Sequence, residues 1–124
     1  MGLGRFILGF NAFAFLAFGL ACLAHPDLLT DIAGLAFTRA SATIEARAMY
    51  GGVQIGLGAF FALAFAREAH RRAGLGVALA LFGGLALGRT VGVALAADVD
   101  AYTATALAYE WGFAALTGLA LRRA

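Results

Sequence analysis

The sequence contains no lysine, one proline, one cysteine and few charged residues of any kind. Of its 124 residues only 13% are charged, whereas 63% are hydrophobic. Soluble domains are typically about 25% charged and about 45–50% apolar, and a chain this short has too little buried volume to hide so many apolar side chains from water. The composition therefore excludes an ordinary soluble domain and predicts an integral membrane protein.

The same scarcities limit the chemistry. Cys22 has no second cysteine to pair with and lies in an apolar run, where it packs as a small hydrophobe. His25 and His70 fall on opposite sides of the predicted membrane, about 30 Å apart, so they cannot share a metal ion. No nucleophile–base arrangement and no phosphate-binding glycine loop is identifiable. The sequence predicts no catalytic residue, metal or cofactor, and no basic face with interleaved aromatics that would bind nucleic acid.

Four apolar runs are long enough to cross a bilayer as helices. They are Phe6–Ala24, Ala48–Ala66, Ala73–Ala97 and Ala101–Leu121. A secretory signal peptide is the competing interpretation of the first run, but the apolar region of such a peptide would be only about 7–15 residues long. We therefore predict an all-α fold: one domain over residues 1–124, built as a four-helix transmembrane bundle.

The connections between these runs contain most of the polar residues. Pro26–Ala33 is predicted to form a short interfacial helix between the first and second spans, stopped by Gly34. Ser41 and Asp100 are the predicted N-caps of the second and fourth spans. Residues 67–72, which contain three arginines, are predicted to be a polar loop.

The arginines also predict the orientation. Six of the nine fall on one side of a four-span topology, namely Arg5, Arg67, Arg71, Arg72, Arg122 and Arg123. Only Arg39 and Arg47 fall on the other side, and they are accompanied there by four aspartates. Because cytoplasmic loops of membrane proteins are enriched in basic residues, both termini and the middle loop are predicted to be cytoplasmic.

Arg89 and Glu110 are each the only charged residue within a long apolar run. Arg89 lies ten residues before the turn centre at Val99, and Glu110 lies eleven residues after it. At a rise of ~1.5 Å per residue, both side chains are roughly 15 Å below the turn. An unpaired charge in hydrocarbon is costly, so the two are predicted to form an ion pair between adjacent antiparallel helices.

Arg47, Tyr50 and Gln54 recur at helical spacing and are predicted to line one face of the second span. Together with Arg89 and Glu110 they form the candidate polar core. In one interpretation this core only fixes helix register, through a neutral Arg–carboxylate pair. In the other it is a polar cavity, open to the outer side, that binds a lipid-like or small anionic ligand.

Small residues predict close helix contacts. The second span has small surfaces at glycines 51, 52, 56 and 58, and its Gly52-x-x-x-Gly56 spacing would allow another backbone to approach. The third span carries a groove of glycines spaced four residues apart, at positions 84, 88 and 92. Three phenylalanines on the first span, at positions 6, 10 and 13, are predicted to be exposed. These features favour an alternative function, an accessory or assembly subunit that packs against a larger membrane complex or against itself.

A resemblance rests on four groups of residues. The second span opens with Arg47-Ala48-Met49-Tyr50-Gly51-Gly52, the third contains Gly88-Arg89, the fourth contains Glu110, and the first turn is His25-Pro26-Asp27. With these features the chain resembles, over nearly its whole length, a family of small bacterial membrane proteins known as domain of unknown function 4345. The resemblance implies four membrane helices and a location in the bacterial inner membrane. Membrane lipids are the expected partners of such a multi-pass protein. It implies no activity, and a lipid-modifying enzyme remains an alternative without an identifiable nucleophile.

Overall fold

The computed structural model describes the whole chain, residues 1–124. All of its regular structure is helical, so the predicted all-α class is confirmed. In chain order the elements are α1 (Leu3–Ala24), α2 (Leu28–Ala33), α3 (Ala40–Ala46), the π-helical segment π1 (Arg47–Gly52), α4 (Val53–Ala66), α5 (Glu68–Ala96) and α6 (Ala101–Arg123).

Three helical stretches are long and apolar enough to cross a membrane: Leu3–Ala24, Ala40–Ala66 and Glu68–Ala96. The second of these comprises α3, π1 and α4 without interruption. Helix α6 has 23 residues but is not among the three, because tyrosine, threonine, tryptophan and glutamate side chains lower its hydropathy. The structure thus contains helices suited to a membrane, and the count of four spans stays a prediction.

The prediction of a polar loop at residues 67–72 is wrong. Only Arg67 is non-helical there, with an extended backbone (φ −115°, ψ 114°) that joins α4 to α5. Residues 68–72 form the start of α5 because alanine, glutamate and arginine are strong helix formers. Glu68 in the first turn also interacts favourably with the positive end of the helix dipole.

The predicted N-cap at Ser41 is also wrong, since α3 begins one residue earlier, at Ala40. Arg39, with an extended backbone, occupies the cap position and makes no side-chain capping bond. Alanine has the highest helix propensity of any residue, which favours the extra helical residue before Ser41.

Gly34 ends α2 as predicted. It adopts the left-handed conformation (φ 72°), and its backbone N–H donates to the carbonyl oxygen of Thr30 at 3.0 Å. Glycine is the residue best suited to such a helix end because it has no Cβ to clash. The helix itself is two residues shorter than predicted and begins at Leu28.

Asp100 is the N-cap of α6, as predicted, and its carboxylate accepts a 2.8 Å hydrogen bond from the Thr103 backbone N–H. This bond lowers the pKa of the Asp100 carboxyl from its usual value. A lowered pKa in the folded state means that the cap is fully formed above the unfolded pKa, about 3.9, and is lost as the pH falls through the folded value.

We therefore expect the Thr103 amide resonance to stay constant on acidification until the pH is below about 3.9, and only then to move. NMR titration of the protein in detergent micelles measures this. Asp100→Asn is the matched control, because asparagine caps helices equally well but does not titrate. An Asp100→Asn protein with the same Thr103 titration would contradict the assignment.

The chain comprises two compact units. The 9–63 unit is Gly9–Leu63, and the 64–124 unit is Met1–Leu8 together with Ala64–Ala124. The first has a core of Cys22, Leu29 and Ala46, against which three partly buried residues pack, namely Phe18, Leu28 and Phe37. Cys22 is therefore the small buried hydrophobe that its position predicted.

Within the 9–63 unit, helix α1 approaches the 40–66 helical stretch through glycines. A Cβ atom added at Gly58 would lie 2.8 Å from the Leu16 Cγ and 2.9 Å from the Leu16 backbone nitrogen. One added at Gly51 would lie 3.2 Å from the backbone of Leu23. Such distances leave no room for a side chain, so these glycines let the two backbones come together.

The glycines predicted to make this approach, Gly52 and Gly56, do not make it. A Cβ at Gly56 would meet no atom within 4 Å, and one at Gly52 would meet only a carbonyl oxygen at 3.9 Å. The prediction for Gly52 and Gly56 is wrong. A four-residue spacing alone does not show which face of a helix forms the interface when the 40–66 helical stretch contains several glycines.

In the 64–124 unit, α5 and α6 are joined by a short turn and pack along their length. A cluster of three aromatic rings connects them: Phe82 is fully buried, 5.6 Å from the Tyr109 ring and 5.5 Å from the Phe113 ring. Towards the start of α5, Gly74 packs so closely that a Cβ there would lie 2.5 Å from that of Ala64. The α5–α6 hairpin is the scaffold of the candidate site.

Candidate functional site

The predicted pair of Arg89 and Glu110 is present. The Nε of Arg89 donates to both carboxylate oxygens of Glu110, at 2.9 and 3.0 Å, and its Nη2 donates to Oε1 at 2.7 Å. Charge-assisted bonds of this multidentate kind are short and geometrically specific. The lone cation of α5 and the lone anion of α6 therefore form one neutral polar group that links the two helices.

The two side chains differ in exposure. The Glu110 side chain is 6% exposed and that of Arg89 is 28% exposed. Glu110 lies on the face of α6 that carries Thr103 and Thr117 at intervals of seven residues, with Ala114 between. Glu110, Ala114 and Thr117 are all buried. The polar and small stripe thus faces protein, and the pair becomes accessible only on the side of the guanidinium.

A second polar contact lies beside the pair. The indole Nε1–H of Trp111 donates to the Thr90 hydroxyl at 3.1 Å, and that hydroxyl donates to the Ala86 carbonyl oxygen at 2.6 Å. Both cross-helix contacts join residues 21 positions apart in the chain. Together the two contacts fix the register of α5 against α6. Sequence reasoning missed this second contact, because counting from the Arg89–Glu110 pair in an antiparallel hairpin places residue 109, not Trp111, opposite Thr90.

Arg89 also lines an open groove on the surface of α5. The groove has a volume of about 290 Å³, and its other lining residues are Gly84, Leu85 and Gly88. A Cβ atom added at either glycine, or at Gly92 one turn further on, would meet no atom within 4 Å. Nothing in the 64–124 unit therefore packs into the groove that the glycine spacing predicted, and Arg89 forms part of its wall.

The other three predicted site residues lie in the 9–63 unit. Gln54 is half-buried in α4, whereas Arg47 and Tyr50 are exposed and belong to π1. A π-helix bonds residue i to i+5 and has more residues per turn than an α-helix. The α-helical spacing used to place Arg47, Tyr50 and Gln54 on one face therefore does not apply across this segment. The structure brings Arg89 and Glu110 together; whether the five act as one site stays a prediction.

Arg47 has a structural contact of its own. Its Nε–H donates to the backbone carbonyl oxygen of Leu23 at 3.0 Å, near the end of α1. The last four carbonyl groups of a helix have no partner within the helix, so a guanidinium placed there satisfies one of them. This bond attaches the beginning of the 40–66 helical stretch to the end of α1.

No group of three or more histidine, cysteine, aspartate and glutamate side chains is placed to hold a metal ion. A family model, described as domain of unknown function 4345, matches residues 3–121. The chain belongs to the DUF4345 family. The match covers nearly the whole chain, so the resemblance seen in the sequence is confirmed. Neither a curated protein nor a solved structure gives a significant match to this DUF4345 protein.

Proposed function

We propose that this DUF4345 protein is a non-enzymatic, multi-pass protein of the bacterial inner membrane that binds the polar head of a lipid-like molecule beside the Arg89–Glu110 pair. The observation that carries the proposal is the position of Arg89. Its guanidinium closes the ion pair, and the residue also lines an open groove whose other lining residues are Gly84, Leu85 and Gly88. A groove with one charged residue in an otherwise apolar wall matches a ligand that has a polar head and an apolar chain.

The proposed topology has four spans with both termini in the cytoplasm. Helix α6, at ~1.5 Å per residue, is roughly 34 Å long and so long enough to cross a hydrocarbon core of about 30 Å. Its only charged residue before Arg122 is Glu110, which the pair neutralises. The asymmetric distribution of arginines supports the orientation.

The partial exposure of the Arg89 side chain supports the proposal that a ligand binds beside it. Lipid chains offer no hydrogen-bond acceptor, and polar groups left facing hydrocarbon are costly. Arg89 lies seven residues before the end of α5, roughly 10 Å along the axis, and the open position Gly92 lies between it and that end of the helix. A polar headgroup in the groove would lie beside the partly exposed Arg89 side chain, while its chain covers Gly84 and Gly88.

Filling the groove tests the proposal. Gly88→Leu places a side chain where nothing of the chain lies within 4 Å, so the fold should be retained while the groove is occupied. We expect saturable quenching of Trp111, the only tryptophan, when the wild type in detergent is titrated with dibrominated phosphatidylglycerol. Gly88→Leu should weaken this binding about tenfold, the effect of losing ~1.4 kcal/mol.

Gly76→Leu is the matched control, because Gly76 is an equally open glycine of α5 outside the groove. It should bind brominated lipid as the wild type does. Equal binding by all three proteins would rule out the groove beside Arg89 as the lipid site.

The second candidate function, an accessory or assembly subunit, is favoured by one observation. Phe6, Phe10 and Phe13 share a face of α1 and are 48%, 45% and 75% exposed. Aromatic residues are enriched at protein interfaces, although the same surface is also compatible with lipid. Chemical crosslinking in native membranes separates the two functions: a stoichiometric adduct that disappears in Phe13→Ala supports the subunit, and its absence supports the lipid-binding protein.

A further inference from the structure

A second cavity, with a volume of about 560 Å³, lies where the beginnings of α1 and α5 and the end of α6 come together within the 64–124 unit. Four arginines line it, namely Arg5, Arg71, Arg72 and Arg123, together with Glu68 and a largely apolar remainder that includes Leu75. The lining side chains thus carry four positive charges and one negative charge. No other part of the molecule gathers so much charge of one sign.

None of these four guanidinium groups forms an ion pair with Glu68 or with any other carboxylate, since the one salt bridge of the molecule joins Arg89 to Glu110. Arg72 and Arg123 are exposed at the cavity. Positive charges that converge without a carboxylate partner attract anions, and the attraction is stronger where an apolar wall limits the screening by water.

Two of the arginines are held in place by Phe65. The Arg5 guanidinium lies over the Phe65 ring, 4.8 Å from its centroid, and the Arg71 Nη2 donates to the Phe65 carbonyl oxygen at 3.5 Å. A cation–π contact and a backbone bond fix these side chains without using up their charge. They are therefore positioned before any ligand arrives.

Arg71 supplies the observation that points to a ligand. Its Nε–H is buried and has no hydrogen-bond partner. Buried donors in folded proteins nearly always have an acceptor, and one without an acceptor is costly. An anion with several oxygen atoms, bound in the cavity that Arg71 lines, would supply an acceptor once a small rotation of the side chain brings this Nε–H to the cavity wall. The arginine fork matches phosphate oxygens in geometry as well as in charge.

We propose that this cavity binds a phosphate group, either of an anionic lipid headgroup or of a free phosphate compound. The site is distinct from the groove at Arg89, which lies 17 residues further along α5 than Arg72, roughly 25 Å away along the helix axis. The proposal for this cavity does not depend on whether a lipid binds in the groove at Arg89. In the topology predicted by the arginines, the cavity opens at the cytoplasmic surface, where anionic lipids accumulate.

The test compares two double variants of equal charge. Arg72→Gln/Arg123→Gln removes two exposed arginines that line the cavity, and Arg67→Gln/Arg122→Gln removes two exposed arginines at the same helix ends that do not line it. The purified full-length protein in detergent is titrated with inorganic phosphate and, separately, with dihexanoyl phosphatidylglycerol. Dihexanoyl phosphatidylcholine, which has the same chains but no net charge, is the third ligand.

We expect the wild type to bind at least one of the two anionic probes in preference to phosphatidylcholine, with an affinity that falls as salt is added. Arg72→Gln/Arg123→Gln should bind that probe about tenfold more weakly, and Arg67→Gln/Arg122→Gln should change the affinity less than about twofold. Binding of phosphatidylglycerol alone identifies a lipid headgroup, and binding of inorganic phosphate identifies a free phosphate compound. Three outcomes would overturn the proposal. They are an equal loss of affinity in both double variants, no binding of either anionic probe, and binding of phosphatidylcholine as strong as that of the anionic probes.

Discussion

Replacing Arg89 by leucine will lower the free energy of unfolding by roughly 3–5 kcal/mol, the cost of removing one partner from a buried ion pair. The reason is the environment of Glu110, whose side chain is 6% exposed and whose carboxylate oxygens receive all three bonds from Arg89. Without the guanidinium the carboxylate remains buried without its cation. Equilibrium unfolding in detergent micelles measures the loss.

The double variant Arg89→Leu/Glu110→Leu should recover most of this stability, because replacing both members of a buried pair with apolar side chains is often neutral or stabilising. Arg122→Leu, which removes an exposed arginine at the end of the same hairpin, is the control and should change stability little. A double variant as unstable as Arg89→Leu would show that the destabilisation comes from packing around residue 89. The pair would then be incidental to stability.

Replacing Gly58 by alanine will destabilise the 9–63 unit by about 1–3 kcal/mol, the usual cost of inserting a methyl group into a well-packed contact. The added Cβ would lie 2.9 Å from the Leu16 backbone nitrogen, and backbone cannot move aside as a flexible side chain can. Helix α1 would have to shift away from α4. Thermal unfolding followed by circular dichroism measures the change.

Gly56→Ala, two residues earlier on the same helix, is the matched control. A Cβ there meets nothing within 4 Å, and alanine favours helix over glycine by ~1 kcal/mol. Gly56→Ala should therefore be as stable as the wild type or more so. If Gly58→Ala were equally well tolerated, the close approach of α1 to α4 at Leu16 would not exist.

Sequence reasoning succeeded where one local rule applies. The Arg89–Glu110 pair follows from counting residues outward from one turn, since helix rise is constant and both neighbours are antiparallel. Asp100 and Gly34 are correct for a similar reason, because capping chemistry depends on a few adjacent residues. These three predictions needed no knowledge of how distant parts of the chain pack.

Sequence reasoning failed where tertiary packing determines which residues are in contact. Among the glycines of the second span, four are candidates for a close contact, and only the position of α1 shows that Gly51 and Gly58 make it. The helical start of α5 at Glu68 was missed because a run of charged residues was interpreted as a loop, although charged residues with high helix propensity can extend a helix beyond the membrane. The predicted polar face of Arg47, Tyr50 and Gln54 assumed an α-helical period throughout, which the π-helical segment π1 interrupts.

The π-helical segment π1 affects where the helices of this chain tolerate the insertion or deletion of a residue. A π-helical turn contains one more residue per hydrogen-bonded ring than an α-helical turn, so removal of one residue between Ala48 and Gly52 would return π1 to ordinary α-helix. Elsewhere in a membrane helix a one-residue deletion rotates everything beyond it by about 100°. Evolutionary insertions and deletions within the helices of this protein should therefore concentrate at π1, where the helix absorbs them locally.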